Sequence, residues 1–375
     1  MRTDKRSAMR HPTGTPGLMR AMNSANALTA VIASGSNTAT QIAEMIGVSR
    51  TAIEAILTDL INTGWLHKAP LDGLGQLGRP AAQYDLSPGA GRVAAIDFDS
   101  HSTGVAVADL RGRILLTLRE GIDAQFPRAE RIETSLTLLR QALRRAKVRL
   151  ADLLCVGIAS PGVTDQGKVL LYGGGGLPGW TGHDLRADIA TTLKVPSVLE
   201  GDSALGALAE RRLGAGRDCH NFVYIYSGRR TGAAIISHGQ ILRGAHGAVG
   251  LIGELPEIRW RELETAYDDL SNDFVPILGL GIADMVLAVD PEVVIIGGSR
   301  RDLIEPRLND LQTLVANRCP ITPQLTLGHF GGDAVLRGSV CLAVDAVSAA
   351  VNLAISEGHP LPAPDALGPF IGPGI

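Results

Sequence analysis

The chain has 375 residues, 45% of them hydrophobic and 19% charged, with a net charge of −3, which suits two or three globular domains and excludes both a disordered acidic chain and a globally basic one. Its longest unbroken apolar runs stop well short of the roughly 18 residues a membrane helix requires, and its N-terminus lacks an apolar signal core, so a cytoplasmic protein with no membrane partner is expected. Cys155, Cys219, Cys319 and Cys341 lie far apart without C-x-x-C spacing, which points to buried thiols in a reducing compartment.

The first ninety residues carry eight basic and six acidic side chains, so the negative balance belongs to the remainder. Residues 1–15 read as a basic flexible arm in which Arg2, Lys5, Arg6 and Arg10 face only Asp4; such an arm follows DNA phosphates or merely solubilises the terminus. Residues 38–62 read as two short helices around a tight turn. Ile42, Ala43 and Ile46 share one face of the first, and Gly47 supplies the turn. Ser49 is an N-cap for a second helix with an apolar stripe of Ile53, Ile56, Leu57 and Leu60. Its opposite face offers Arg50, Thr51, Glu54 and Thr58, and in a helix-turn-helix this second helix reads the major groove, with Arg50 and Thr51 foremost. The Gly-rich stretch from Asp72 to Gly78, then Arg79-Pro80 and Gln83–Leu86, outlines a β-ribbon wing with Arg79 placed for a minor groove. Residues 16–88 are therefore expected to form a winged helix-turn-helix that contacts DNA through Ser49, Arg50, Thr51, Glu54, Thr58 and Arg79.

Beyond residue 90 the sequence repeats itself. The segment from Val93 to Ala108, followed by Gly112-Arg-Ile-Leu, has a counterpart in Phe222 to Ile236, followed by Gly239-Gln-Ile-Leu. Each reads as a strand, a small polar turn, a second strand, and a third after glycine. Helical patterns at Arg131–Ala146 and Ser203–Leu213 complete two α/β lobes, residues 91–202 and 203–355, with a ligand-binding cleft between them. Residues 358–375 read as a disordered Pro/Gly-rich tail.

Six motifs together bring a family into view: Gly78-Arg-Pro; Pro161-Gly162; Leu177-Pro-Gly-Trp-Thr-Gly182; Asp202 with Ala207-Leu-Ala-Glu210; Arg243-Gly-Ala-His-Gly-Ala248; and Pro291-Glu-Val-Val-Ile-Ile-Gly-Gly298. In these the chain resembles the ROK family (repressors, open reading frames, kinases), in the subset with an N-terminal winged helix that includes the xylose and N-acetylglucosamine repressors. The resemblance implies a winged-helix DNA-binding domain followed by a duplicated α/β actin-like body of the ribonuclease H-like, sugar-kinase type.

The resemblance also implies parts that this chain has altered. Where the family's kinases read roughly Asp-Ile-Gly-Gly-Thr-Lys at the first phosphate turn, this chain has Asp97-Phe-Asp-Ser-His-Ser102, with the Asp99 carboxylate where phosphate belongs. The second turn, Gly-Thr-Gly-Ile-Gly in the kinases, is Gly228-Arg-Arg-Thr-Gly232, so ATP is not expected as a cofactor. Asp202 holds the catalytic-base position without the preceding Asn, and so is a vestige. The sugar-contacting Glu-x-Gly-His has become Leu251-Ile-Gly-Glu254, and Glu264 matches the last sugar-contacting Glu. Asp202, Glu254 and Glu264 either form a polyol pocket with altered preference or, for Asp202 and Glu264, serve as helix caps or arginine partners. The zinc cluster is replaced by Pro256-Glu-Ile-Arg-Trp-Arg-Glu262, without Cys or His, so no metal is expected; ion pairs among Glu257, Arg259, Arg261 and Glu262, or packing by Trp260, would replace it.

The expectation is a transcriptional regulator without kinase activity, a homodimer or dimer of dimers, that binds a double-stranded operator and senses a sugar or related ligand in its cleft. Two other classes fit parts of the pattern: an ATP-dependent sugar kinase with an accessory DNA-binding domain, and a ligand-blind scaffold for dimerisation or protein partners.

Overall fold

The computed structural model describes residues 16–69, 82–264 and 273–372. Arg79, the Gly-rich ribbon before it and the basic arm of residues 1–15 lie outside them. Two compact units are present, one built from the chain up to Ala90 together with Ser348–Phe370, the other from Gly91–Val347.

In the first unit the helices Pro16–Ser34 (α1), Ala39–Ile46 (α2) and Arg50–Asn62 (α3) accompany a small antiparallel sheet. Its strands are Asn37–Thr38 (β1), Leu66–Ala69 (β2) and Gln83–Leu86 (β3), with β3 in the middle. Sequence fixes the helix ends. Thr38 and Gln41 form a capping box in which Thr38 N–H donates to Gln41 Oε1 at 2.9 Å and Gln41 N–H to Thr38 Oγ1 at 3.3 Å. Gly47 closes α2 at φ 70°, a left-handed conformation that favours glycine, and the Ser49 hydroxyl caps α3 by accepting from Ala52 N–H. Ile42, Ala43, Ile53, Ile56, Leu57 and Leu60 are buried against Ala27, Leu28 and Val31 of α1, while Ile46 is only half-buried.

The tail corrects an expectation. Residues 358–372, read as disordered from their Pro and Gly content, are ordered, with short 3₁₀ turns at Pro364–Ala366 and Gly368–Phe370. Leu361 and Leu367 are buried, and the fully buried Trp65 indole donates to the Pro362 carbonyl at 2.7 Å. Two apolar anchors and one satisfied indole offset part of the chain entropy that composition alone would have favoured.

The second unit carries the repeat. Strands Arg92–Phe98 (β4), Ser102–Ala108 (β5) and Ile114–Gly121 (β6) form an antiparallel meander, followed by helix Arg128–Ala146 (α4) and strand Leu153–Ser160 (β7). A small ribbon, Val163–Asp165 (β8) with Lys168–Leu171 (β9), precedes helix Leu185–Leu193 (α5) and strand Ser197–Gly201 (β10). The sheet order is β10-β7-β4-β5-β6, with β10, β7 and β4 mutually parallel. After helix Asp202–Leu213 (α6), strands Phe222–Ser227 (β11), Thr231–Ser237 (β12) and Gln240–Ile241 (β13) repeat the meander. Helix Phe274–Val289 (α7), strand Val293–Gly297 (β14), helices Arg301–Ile304 (α8) and Leu308–Ala316 (α9), and strand Gln324–Leu327 (β15) complete the second sheet, ordered β13-β12-β11-β14-β15. In both lobes a three-stranded meander thus leads into two parallel crossovers, the topology the internal repeat predicts. Ile96, Val156 and Leu139 centre one core, and Ile225, Ile296 and Ile282 the other.

Helix Ala334–Ser356 (α10) follows. With the turn before it, this stretch is long and apolar enough to cross a membrane by length and composition, although Arg337 and Asp345 interrupt it, and 67% of its most apolar window is buried inside the protein. A core helix satisfies the same composition test. Gly338 and Gly157 explain its close fit: a Cβ on the first would meet the Leu205 carbonyl, and one on the second the Ser339 carbonyl.

Candidate functional site

Two surfaces bring the singled-out residues together. On α3, Ser49, Arg50, Thr51, Glu54 and Thr58 are all exposed, and Ala55 with them, because the apolar stripe turns inward and the capping serine fixes the first turn. The Thr58 hydroxyl is tied to the Glu54 carbonyl at 2.8 Å. Arg20 of α1 holds Asp59 at 2.6 Å and so braces α3 from the side. The exposed face therefore combines a guanidinium, a carboxylate, three hydroxyls and the Ala55 methyl, groups of the kinds that distinguish base pairs in a major groove.

The second surface is the cleft between the two sheets, enclosing about 1030 Å³ with its open mouth, and Asp202, Glu254 and Glu264 all line it. Asp202 is the first residue of α6, where its carboxylate accepts from the Ser203 N–H at 2.6 Å and hydroxyl at 3.1 Å. Burial pushes this carboxyl up to about 6; the Ser203 bonds pull the other way, and the negative neighbours Asp97 and Asp99 add to the rise.

Glu254 and Glu264 are already paired. Arg230 donates to Glu254 Oε1 at 3.2 Å and lies 3.3 Å from Glu264 Oε1, while Arg261 takes Glu254 Oε2. Opposite them, buried Glu200 accepts from Arg243 at 2.7 Å, from the Thr164 hydroxyl at 3.2 Å and from Gly201 N–H at 2.8 Å. Sequence reasoning did not single out Glu200, Arg230, Arg243 or Arg261 as site residues. The signal was present, since Arg230 is one of the two arginines replacing small residues in the second phosphate turn.

That turn divides its arginines: Arg230 lines the interlobe cleft and Arg229 an adjoining cavity of about 350 Å³ beside the Asp97–Ser102 turn. Asp97, Asp99, Arg119 and Asp333 also line this second cavity. Burial drives the Asp97 carboxyl up to about 6 against the pull of Arg119, whose Nη2 lies 3.1 Å away. The first turn keeps its donors for itself: Asp99 N–H donates to the Ser102 carbonyl at 3.0 Å and Ser100 N–H to Asp99 Oδ1 at 2.7 Å. Fully buried Arg131 locks the backbone from behind, donating to the carbonyls of Asp99, Ser100 and Asp123. Carboxylates and occupied amides do not fit ATP phosphates.

The segment that replaces the zinc cluster is held by packing. Trp260 and Ile258 are buried beside Leu263, Phe274 and Ile282, with the Trp260 ring over Gly253 and Gly281. Arg259 chelates Glu262 with bonds of 2.7 and 2.6 Å, whereas Arg261 reaches Glu254 instead. This donor set does not fit zinc.

The ROK family model matches residues 93–261. A xylose repressor of Bacillus spizizenii is 20% identical over 333 residues, spanning 76% of this chain and 83% of the relative. Among solved structures, a ROK family transcriptional regulator described as a homologue of the E. coli MLC protein superposes with a TM-score of 0.65 at 17% identity, over 86% of this chain and 95% of that one. A ROK family glucokinase from Streptomyces griseus, solved with glucose and AMPPNP, superposes with a TM-score of 0.56 at 20% identity, over 68% of this chain and all (100%) of that one. These likenesses show a shared fold, that of ROK regulators and sugar kinases alike. Residues 93–261 are therefore a ROK family domain, set within a fold shared with ROK regulators and sugar kinases.

Proposed function

We propose that the protein is a cytoplasmic, operator-binding transcriptional regulator of repressor type, in which a winged helix-turn-helix reads double-stranded DNA and a kinase-like body regulates or dimerises it without catalysis. The observation that carries this reading is the exposed face of α3, where Ser49, Arg50, Thr51, Glu54 and Thr58 stand clear while Ile53, Ile56, Leu57 and Leu60 turn inward. The names of the similar proteins support it, since the xylose repressor and the MLC homologue are both regulators. Internally bonded phosphate turns and a Trp-packed segment in place of a cysteine cluster support a body that holds neither ATP nor zinc.

A homodimer places two such helices about 34 Å, or a multiple of it, apart on one face of the duplex. Sugar sensing attaches to the cleft of Asp202, Glu254 and Glu264, and there the reading is weaker because two of the three carboxylates already have guanidinium partners.

Arg50→Ala tests the DNA assignment. It should weaken binding to the cognate operator by about 1–3 kcal/mol in a gel-shift titration and relax one base preference. Binding indistinguishable from wild type would remove α3 from the groove.

A further inference from the structure

We propose that Arg230 is a built-in occupant of the sugar cleft, a tethered cation that latches the two lobes together without a ligand and bars neutral sugars from the site. Four observations carry this. First, a polyol is recognised when carboxylates accept its hydroxyl protons, and here most of those acceptors are already used. Both Glu254 oxygens go to Arg230 and Arg261, Glu264 Oε1 goes to Arg230, and both Glu200 oxygens are engaged by Arg243, Thr164 and Gly201 N–H. A neutral hydroxyl replaces a charge-assisted guanidinium–carboxylate bond at a loss, because such bonds are about twice as strong as neutral ones.

Second, Arg230 belongs to one lobe and is gripped by the other. Its guanidinium lies 5.2 Å from the centre of the Tyr172 ring, a cation–π distance. The Tyr172 hydroxyl in turn donates to the Gly175 carbonyl at 2.9 Å, holding the four-glycine loop Gly173–Gly176 in place. Third, that loop is moulded to the ion pairs. A Cβ at Gly174 would run into the Arg230 guanidinium, and one at Gly173 would come within 3.1 Å of Arg261 and 3.2 Å of Glu254. Fourth, Arg243–Glu200 joins the same two lobes at the other side of the cleft, so closure rests on two pairs rather than on one flexible side chain.

The latch does not depend on the DNA-binding assignment, and its tests leave operator affinity as a separate readout. Hydrogen exchange of wild type is compared with Arg230→Ala and with Gly174→Val, which displaces the guanidinium from the opposite lobe. Amides of residues 171–176 should exchange about tenfold faster or more in both variants, with α3 amides unchanged. Wild type titrated calorimetrically with millimolar xylose, glucose and N-acetylglucosamine should give no heat of binding. Saturable heat with any of these sugars, or unchanged exchange in residues 171–176 of either folded variant, overturns the proposal. Should Arg230→Ala not fold, Gly174→Val and the wild-type titration decide it.

Discussion

The buried carboxyl of Asp202 can be tested as a stability difference. Its carboxyl rises from the ordinary 3.8 to about 6 on folding, mainly through burial. At about 1.36 kcal/mol per unit, ionised Asp202 costs the folded state about 3 kcal/mol at neutral pH, an upper figure. Asp202→Asn removes that cost and keeps an Oδ1 acceptor for the Ser203 N–H and hydroxyl. The sign follows from proton uptake. As pH falls through 6 the folded carboxyl protonates while the unfolded one stays ionised, so wild-type stability rises on acidification until both forms are protonated below about 3.8. Urea unfolding followed by Trp fluorescence should show Asp202→Asn more stable by up to about 3 kcal/mol near pH ~7.5, the gap narrowing to about 1 kcal/mol near pH ~4.5. Equal stabilities at the higher pH, or a gap that does not narrow, would refute the reasoning.

Two further outcomes are expected. Coupled ADP release across a panel of monosaccharides should show no sugar-dependent turnover; turnover abolished by Asp202→Asn would restore the kinase reading. Trp65→Phe keeps the ring but loses the indole bond to Pro362, so it should lower stability by about 1 kcal/mol and speed proteolytic cleavage within residues 358–372; unchanged cleavage would show that the apolar anchors suffice alone.

Much of the fold was legible because its signals are local. The Ser49 cap, the Gly47 turn and the 3.6-residue stripe of α3 are written in adjacent residues, and the two meanders announce themselves as a repeat. The cleft was half legible. Motif spacing placed Asp202, Glu254 and Glu264 around one site, yet Arg230, the partner of both glutamates, comes from a separate turn, and the Glu200–Arg243 pair beside them joins opposite lobes. Ion pairing across lobes leaves no periodicity, so only the replacement of small residues by arginine hinted at it. The tail was misread because its composition is that of disorder, whereas Leu361 and Leu367 are single residues whose burial no pattern announces.

The segment that ends beside Trp65 also bears on how the molecule is made. The unit holding α3 draws on Ser348–Phe370, so it stays incomplete until synthesis has passed the kinase-like body. A fragment ending near Ala90 would carry every predicted base contact and still lack the Pro362 carbonyl for its buried indole and the buried leucines Leu361 and Leu367. Nascent chains should therefore acquire operator affinity only after the kinase-like body has been synthesised.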